Sequence, residues 1–501
     1  MSKQGSAGKG RGPLDPHFFA STRRRPVELT PFGYVLLPLC VAAILQPTWQ
    51  LQLVLLAGAF GAATPLTISG LGLPPGVIPA CLFLSYVALQ ILLGARFPAA
   101  PRAWRTLEPF LLTAAYALLT AILVPRLFAG AFTVWPQKLA PPFNIPVPLA
   151  PGSGNVTQSL YLLLDTAMLV GAALYLSRSR IDPVRLLQTY LGCGVVVVAV
   201  CAWQLANKLT GIWYPEAFLY SNPGWAQHPN QTVGIVPRIN GTFSEPAALA
   251  YYLSGPIFCC AWLVLRGHGN RLALWLLPFA VLALVLSTST TGFAVLSVGG
   301  LAMVAYGLTR APKPVALRIF VFAVPIVLIA IAAALSVSTL SARFEESIAL
   351  VTRQSLNKAD GESFASRTGL DRDSLGILFP SYGLGAGWGS VRSSSLVSGL
   401  LANLGIFGCA LLIWFAARLV RHVGHARRTV ATRGQSMVLD GLSAGVLGHL
   451  TAAVMSVPAV IAPDFYLLIG ALIACAARVD EDAHRMAQGA LAARRRTAAP
   501  P

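Results

Sequence analysis

A series of long apolar runs divides this chain and leaves few ways for it to fold. A helix needs about 20 predominantly apolar residues to cross a bilayer. Runs of roughly that length lie near 77–94, 107–125, 157–177, 185–207, 247–265, 272–287, 290–308, 318–340, 395–417, 437–456 and 460–477. The region 34–69, which Pro47 interrupts, holds one or two more. Because 55% of the residues are hydrophobic and only 11% are charged, we exclude a soluble domain and predict an all-α, polytopic integral membrane protein.

The distribution of positive charge predicts an orientation and a number of spans. Three arginines precede the first run at 23–25, and three follow the last run at 494–496. Cytoplasmic segments carry an excess of Lys and Arg, so both tails are expected in the cytoplasm, which requires an even number of spans. A total of about twelve spans satisfies this condition if one of the two runs in 34–69 is re-entrant or fused with its neighbour. The net charge of +19 lies between the spans and does not form one patch, which argues against nucleic-acid binding.

The resulting plan has three parts. We predict a disordered basic cytoplasmic tail at 1–30, a helical transmembrane domain at 31–478 and a second basic cytoplasmic tail at 479–501. Three long loops then face outward, at 126–156, 208–246 and 341–394. A loop as long as the third is usually functional or disordered.

The second outer loop ends in a group of residues suited to an anion. Residues 238–246 read Arg-Ile-Asn-Gly-Thr-Phe-Ser-Glu-Pro and lead directly into an apolar run. The free N–H groups and partial positive charge of a helix N-terminus favour an anion such as a phosphate, and Arg238 would bind its oxygens bidentately. Ser244 is the expected N-cap, and Glu245 could serve as a general base. The alternative is that the segment only starts a helix, with Arg238 and Glu245 forming a local ion pair.

The third outer loop carries further arginines and a run of glycines. Arg367, Arg372 and Arg392 flank Gly383, Gly385 and Gly387, and Arg343 and Arg353 lie earlier in the loop. Alternating glycines allow a backbone to approach a ligand closely and to expose its N–H groups. The alternatives are a flexible turn for the glycines and a solvated loop surface for at least half of the arginines.

Ionisable residues within membrane spans are costly and therefore often functional. Asp165, Asp440, His449 and Asp464 lie in or near the predicted spans. Asp464 should lie near the outer end of the last span, within reach of the outer site. Asp440 should lie near the inner end, where it could pair with a cytoplasmic arginine, and His449 could be a polar contact between helices. The histidines show no zinc-type spacing with Cys or Glu, and we expect neither a metal nor another cofactor.

Several of these motifs, taken in order, resemble those of the bacterial O-antigen polymerase and ligase superfamily. The first is Arg238-x-x-Gly241-Thr-Phe243-Ser-Glu245-Pro246 before a span. The later ones are the turn Leu286-Ser-Thr-Ser-Thr-Thr-Gly292, the run Gly383-Leu-Gly385-Ala-Gly387, and a span that begins Ser393-Ser-Ser-Leu and contains Asn403-Leu-Gly405-Ile-Phe-Gly408. The resemblance covers about 200–420, and the N-terminal third matches only as generic membrane helices.

The resemblance implies a glycosyltransferase-C-like helical fold in the bacterial inner membrane. It implies a polyprenyl-diphosphate-linked oligosaccharide donor whose diphosphate is held by arginines, of which Arg238 carries over most directly and Arg367 is a second candidate. The acceptor would be another lipid-linked repeat unit or a lipid core sugar. The implied partners are the lipid bilayer, these lipid-linked glycans and, potentially, other polysaccharide assembly and export proteins.

Two departures from the family pattern bear on the reaction. Thr290 follows Ser289 where the family usually has Arg, and the His-Asn pair often found after the glycines is replaced by Arg392 and the serines that follow it. The missing histidine favours a polysaccharide polymerase, with Glu245 as the base, over a ligase that transfers glycan to a lipid acceptor.

Functions of other classes remain alternatives. A transporter or flippase of lipid-linked glycan would place its key charges along a central path through the membrane, whereas here they cluster at the outer face. A scaffold protein of an envelope assembly would tolerate loss of Arg238 and Glu245. A channel is disfavoured because no repeated filter or ring of charges is evident.

Overall fold

A computed structural model describes residues 27–137, 145–178, 181–224, 227, 232–233, 236–310, 362–457 and 460–497. The helices in this part are α1 (Pro31–Ala42), α2 (Pro47–Gly58), α3 (Val77–Leu92), α4 (Ala100–Leu127), α5 (Ser153–Leu176), α6 (Pro183–Thr210), α7 (Glu216–Leu219), α8 (Pro246–Arg266), α9 (Arg271–Leu286), α10 (Thr290–Ala294), α11 (Gly300–Arg310), α12 (Glu362–Gly376), α13 (Leu396–Thr429), α14 (Arg433–Ser456) and α15 (Pro463–Thr497). A π-helical turn, Val295–Gly299, joins α10 to α11.

The strands among the described residues are short and lie in the connections between helices. They are β1 (Val27–Leu29), β2 (Leu66–Ile68), β3 (Leu71–Gly72), β4 (Thr133–Val134), β5 (Val147–Pro148), β6 (Thr232–Val233) and β7 (Val236–Pro237). All pairings are antiparallel: β1–β2–β3 form one small sheet, and β4–β5 and β6–β7 form two hairpins.

Helix length and composition confirm an all-α, multi-pass membrane protein. Seven helical segments of the described chain are long and apolar enough to cross a bilayer. They are Ala100–Leu127, Ser153–Leu176, Pro183–Thr210, Pro246–Arg266, Thr290–Gly307, Leu396–Thr429 and Arg433–Ser456. Helices α1, α3 and α9 are apolar but shorter. The predicted span at 318–340 lies outside the described residues, and the number twelve stays a prediction.

The interrupted region at 34–69 forms two helices rather than one. Helices α1 and α2 have 12 residues each, so each is about 18 Å long and too short to cross a bilayer alone. Thr30 caps α1 by accepting the Gly33 N–H at 3.1 Å, and Pro47 occupies the first turn of α2, where a missing N–H costs nothing.

Both predicted tails contain ordered structure at the edge of the membrane domain. Strand β1 falls within the tail predicted at 1–30, and residues 1–26 lie outside the described part. At the other end, α15 continues to Thr497, so most of the tail predicted at 479–501 is helical.

Small residues allow the central helices to pack closely, as is typical of membrane helix interfaces. Helix α14 lies against α8 at Gly448, where an added Cβ would come within 2.3 Å of the Ser254 carbonyl oxygen. Helix α15 lies against α5 at Gly470, where an added Cβ would come within 2.8 Å of the Leu169 carbonyl oxygen. The well-buried core formed around these helices fixes the position of α8, whose N-terminus carries the candidate site.

Candidate functional site

A buried hydrogen-bond network fixes the backbone immediately after Arg238. The Gln204 side-chain oxygen accepts the N–H groups of Asn240 and Gly241 at 3.0 and 2.8 Å, and the Gln204 amide donates to the Asn240 side-chain oxygen at 2.7 Å. The Gly241 carbonyl accepts the hydroxyls of Tyr214 and Tyr220 at 3.1 and 2.8 Å. Because these buried polar groups are paired, the segment that presents Arg238 is rigid.

Gly241 is required by this geometry. Its φ of +55° lies in the left-handed region, and an added Cβ would come within 2.7 Å of the Cys201 sulfur. The glycine therefore allows the chain to turn from Arg238 into α8 while it packs against α6.

The Arg238 side chain is partly buried and reaches the turn between α9 and α10. Its Nε donates to the Ser287 carbonyl oxygen at 3.3 Å, and its Nη2 donates to the Thr288 carbonyl oxygen at 3.4 Å. Thr288 has a φ of +47°, which is unusual for a residue with a branched side chain. The turn noted in the sequence therefore contacts Arg238 through carbonyl groups, and sequence reasoning missed this because carbonyls carry no residue signature.

Glu245 occupies the N-cap of α8, where we had expected Ser244. Its backbone is extended, with φ −149° and ψ 158°, and Pro246 follows at the start of the helix. The Glu245 carbonyl accepts the N–H groups of Ala248 and Leu249 at 3.1 and 3.2 Å, while its side chain makes no capping bond. Its carboxylate is therefore not used to close the helix end.

Glu245 and Arg367 both act electrostatically on Arg238. Burial lowers the pKa of Arg238, and the positive charge of Arg367 lowers it further, while Glu245 opposes both effects. Arg238 is thus coupled to one candidate on its own loop and to one that lies more than one hundred residues later in the sequence. The position of Arg238 at the N-terminus of α8 suits an anionic ligand.

Asp371, which the sequence analysis did not single out, holds the helix that carries Arg367. Its Oδ1 accepts the N–H groups of Ser394 and Ser395 at 2.8 and 3.2 Å and the Ser398 hydroxyl at 2.6 Å. Burial alone would raise the pKa of Asp371, but these hydrogen bonds reverse the effect and lower it. The interaction caps the start of α13 and joins it to α12, one turn from Arg367. The serine run predicted a helix start, but it could not identify the distant carboxylate.

The glycine run packs against other parts of the protein. Gly383, Gly385 and Gly387 have φ values of +80°, +75° and +89°. An added Cβ at Gly385 would come within 2.7 Å of the Ala402 carbonyl oxygen, and one at Gly387 within 2.5 Å of the Thr120 carbonyl oxygen. These contacts with α13 and α4 account for the glycines by close packing, and their role in substrate binding stays a prediction.

The remaining arginines of the third loop occupy different environments. Arg372 and Arg392 are exposed, and the backbone N–H of Arg392 donates to the Trp135 carbonyl at 2.8 Å, which joins the first and third loops. Arg343 and Arg353 lie outside the described residues. Of the predicted substrate-binding arginines that the structure describes, Arg367 is the one whose charge acts on Arg238.

Asp464 lies at the start of α15 and packs against α2. An added Cβ on Gly58 would come within 2.5 Å of the Asp464 Oδ2. Asp464 thus lies in the first turn of the last described helix, and its role in substrate binding stays a prediction.

His449 and Asp440 on α14 make the contacts that the sequence analysis allowed for them. The Tyr190 hydroxyl and His449 Nε2 are 3.0 Å apart, between α6 and α14. Asp440 pairs with Arg266 at 3.1 Å, with His268 at 2.9 Å and with Arg427 at 3.0 Å. Both residues therefore link helices.

Among the described residues, no group of three or more His, Cys, Asp or Glu side chains is placed to bind a metal ion. No protein-family model matches the chain. A search of curated proteins also found no match.

Proposed function

We propose that this protein is a membrane glycosyltransferase that polymerises polyprenyl-diphosphate-linked oligosaccharide repeat units into a cell-surface or exported polysaccharide. It works at the outer face of the bacterial inner membrane, with about twelve spans, a glycosyltransferase-C-like fold and both termini in the cytoplasm. The observation that carries the proposal is the position of Arg238 and Glu245 at the N-terminus of α8, together with the electrostatic effect of Arg367 on Arg238. The order of sequence motifs supports the same reaction.

The two arginines offer a binding site for a diphosphate. Arg238 is oriented by the Ser287 and Thr288 carbonyls, and Arg367 is held by α12 through the capping interaction of Asp371. Arginine matches phosphate oxygens with planar, charge-assisted hydrogen bonds. Partial burial strengthens such interactions because the surrounding dielectric is lower than that of water.

The chemistry requires a leaving group, a nucleophile and a base. An acceptor hydroxyl oxygen forms a bond to the anomeric carbon of the donor sugar, while the bond from that carbon to the diphosphate oxygen breaks. The bonding electrons leave with the diphosphate, whose growing charge the two arginines stabilise. The Glu245 carboxylate accepts the hydroxyl proton, because it lies at the same helix end and is not used as a cap.

One observation favours a second candidate function, the transport of lipid-linked glycan. Asp165 is only 2% exposed inside α5, and its Oδ1 has no hydrogen-bond partner in the described part of the chain. Buried carboxylates of this kind occur along the central pathways of transporters. Loss of Asp165 would impair a transporter more than loss of Arg238, whereas loss of Arg238 would impair a polymerase more than loss of Asp165.

The test is the glycan profile of cells that lack this protein and are complemented at equal protein level. We expect wild type to restore long chains, and Arg238→Ala and Glu245→Gln to leave single repeat units on their lipid carrier. Arg126→Ala, which removes an exposed arginine at the end of α4, is the matched control and should restore long chains. Long chains with either site variant would contradict the assigned site. Accumulation of lipid-linked precursor on the cytoplasmic side alone would instead identify a transporter.

A further inference from the structure

A cavity of about 730 Å³ lies between the β4–β5 hairpin and one face of α12. Thr133 and Trp135 line it from the hairpin side, and Thr368, Arg372 and Leu375 line it from α12. The volume falls within the roughly 300–1,000 Å³ that is typical of pockets for small ligands. Neither the candidate base nor the two site arginines belongs to this cavity, so it is a separate feature of the loop surface.

Trp135 is held in place as part of a built pocket. Its indole N–H donates to the Asp373 Oδ2 at 3.0 Å, which fixes the ring plane. Its carbonyl accepts the Arg392 N–H at 2.8 Å, and two residues later the Gln137 amide donates to the Val391 carbonyl at 2.7 Å. These bonds anchor the hairpin to the third loop, so the aromatic ring costs little conformational entropy when a ligand contacts it.

The residues around the ring favour a sugar as the occupant. An aromatic face packs against the C–H groups on one face of a pyranose, and nearby polar groups bind its hydroxyls. Here Thr133, Thr368, Arg372 and Asp373 supply hydroxyl, guanidinium and carboxylate groups beside Trp135. Arg372 is exposed and has no ion pair within the described ranges. The rest of the lining is mainly apolar, which suits the C–H groups on the faces of a sugar ring.

The position of the cavity relates it to the proposed reaction. Thr368, Arg372 and Leu375 are spaced by four and three residues, so they share one face of α12. Arg367 and Ser374 lie on a neighbouring face, where the Ser394 hydroxyl donates to the Arg367 carbonyl and the Ser374 hydroxyl donates to the Arg392 carbonyl. Thr368, which lines the cavity, directly follows Arg367 in the sequence, so a ligand in the cavity lies beside the face of α12 that carries Arg367.

We propose that this cavity is a saccharide subsite, with Trp135 as its stacking platform, that holds a sugar segment of the glycan chain while the diphosphate end occupies the arginine site. This inference rests on the proposed function. Binding energy obtained from sugars distant from the reacting bond would keep a growing chain on the enzyme between transfers. The subsite would therefore influence chain length more than the rate of a single transfer.

The test compares Trp135→Ala with Trp135→Phe and with Tyr382→Ala. Tyr382 is an exposed aromatic residue of the same loop that does not line the cavity, so it provides a matched control. Purified protein in detergent is titrated by calorimetry with lipid-free oligosaccharides of defined length, cut from the exported polymer. We expect saturable binding by wild type, Trp135→Phe and Tyr382→Ala, and at least tenfold weaker binding by Trp135→Ala. Polymer made by Trp135→Ala in cells should be shorter than that of wild type.

Arg372→Gln provides a second variant in case Trp135→Ala does not fold. It retains the ring and replaces the charged guanidinium with a neutral amide. We expect about threefold to tenfold weaker binding, because a hydrogen bond to a charged group is worth more than one to a neutral group and the exposure of Arg372 reduces this difference. Wild-type affinity in both variants, or no oligosaccharide binding by wild type, would overturn the subsite. Unchanged chain length in Trp135→Ala, with polymerisation still dependent on Arg238, would overturn the subsite and leave the proposed function standing. Failure of wild type to polymerise lipid-linked repeats would instead overturn the proposed function.

Discussion

The two ends of α8 both carry charged groups, but they use them differently. At the C-terminal end, the Asp440 carboxylate lies between Arg266, His268 and Arg427, with all three contacts between 2.9 and 3.1 Å. At the N-terminal end, Arg238 donates to neutral carbonyls at 3.3 and 3.4 Å, and its charge acts on both Glu245 and a second arginine. The first cluster is closed by short ion pairs, whereas the second combines two guanidiniums with one carboxylate.

This difference separates a structural role from a ligand-binding one. The Asp440 cluster joins α8, α13 and α14, and its negative charge already faces cations of this chain. The Arg238 cluster gathers positive charge at a helix terminus that is itself partly positive. An arrangement of that kind gains most when an anion is added. We therefore propose a structural role for the C-terminal end of the helix and substrate binding for the N-terminal end.

The largest expected effect comes from removing one arginine at each end of α8. Arg238→Ala should lower the polymerisation rate by about 10²–10³-fold, the usual effect of removing one group that stabilises transition-state charge. Arg266→Ala should leave the rate per folded molecule within about threefold, because Asp440 keeps its contacts with Arg427 and His268 and lies far from the chemistry. The measurement is turnover of lipid-linked repeats in proteoliposomes, normalised to folded protein. Equal losses of polymerisation rate in the two variants would show that the two ends of α8 do not differ in function.

The next largest effect concerns stability. Asp440→Ala should lower the free energy of unfolding by about 3 kcal/mol, because it leaves two arginines facing each other in a partly buried position and removes the hydrogen-bond partner of His268. Thermal melting in detergent measures this loss, and Glu28→Ala, which removes an exposed carboxylate of β1, is the matched control. A melting temperature unchanged by Asp440→Ala would show that the ion cluster does not hold the helices.

A smaller effect on the rate is expected from Arg367. Arg367→Ala should slow polymerisation by about tenfold, since it removes one of two cations and leaves the helix N-terminus in place. The double variant Arg238→Ala/Arg367→Ala should be less damaging than the product of the single effects, because both groups would act on one diphosphate. Multiplicative losses would place the two arginines in separate sites.

The sequence predicted the helical class and the residues at the start of α8 because both depend on local pattern. Apolar length identifies spans, and the motif from Arg238 to Pro246 predicts a charged helix start. The sequence could not predict that Ser287 and Thr288 would bind Arg238, because those contacts use backbone carbonyls from another hairpin. It also could not decide between ligand binding and packing for the glycine run, since both uses require the same φ values.

The smallest expected effect on stability comes from Asp371, which supports the helix that carries Arg367. Its pKa is lowered because the folded state binds the carboxylate through Ser394, Ser395 and Ser398, so it stabilises the protein above its unfolded pKa of about 3.9. That stability is lost as the pH falls through the lower, folded-state pKa. Asp371→Asn should therefore cost about 1 kcal/mol at pH 7, the value of a helix cap, and the difference in melting temperature from wild type should shrink below pH 4.

The same variant tests whether Arg367 depends on its support. If α12 shifts when the cap is lost, Asp371→Asn should also slow polymerisation by a few fold at pH 7, and this loss should disappear in an Arg367→Ala background. At the opposite end of α8, Asp440 is itself the centre of the charge cluster. A mutation of that carboxylate therefore always disrupts the cluster as well. Near Arg367, by contrast, the Asp371 carboxylate is bound by serines and supports the helix that carries the cation. A rate effect of Asp371→Asn that persists without Arg367 would show that the cap acts on the site by another route.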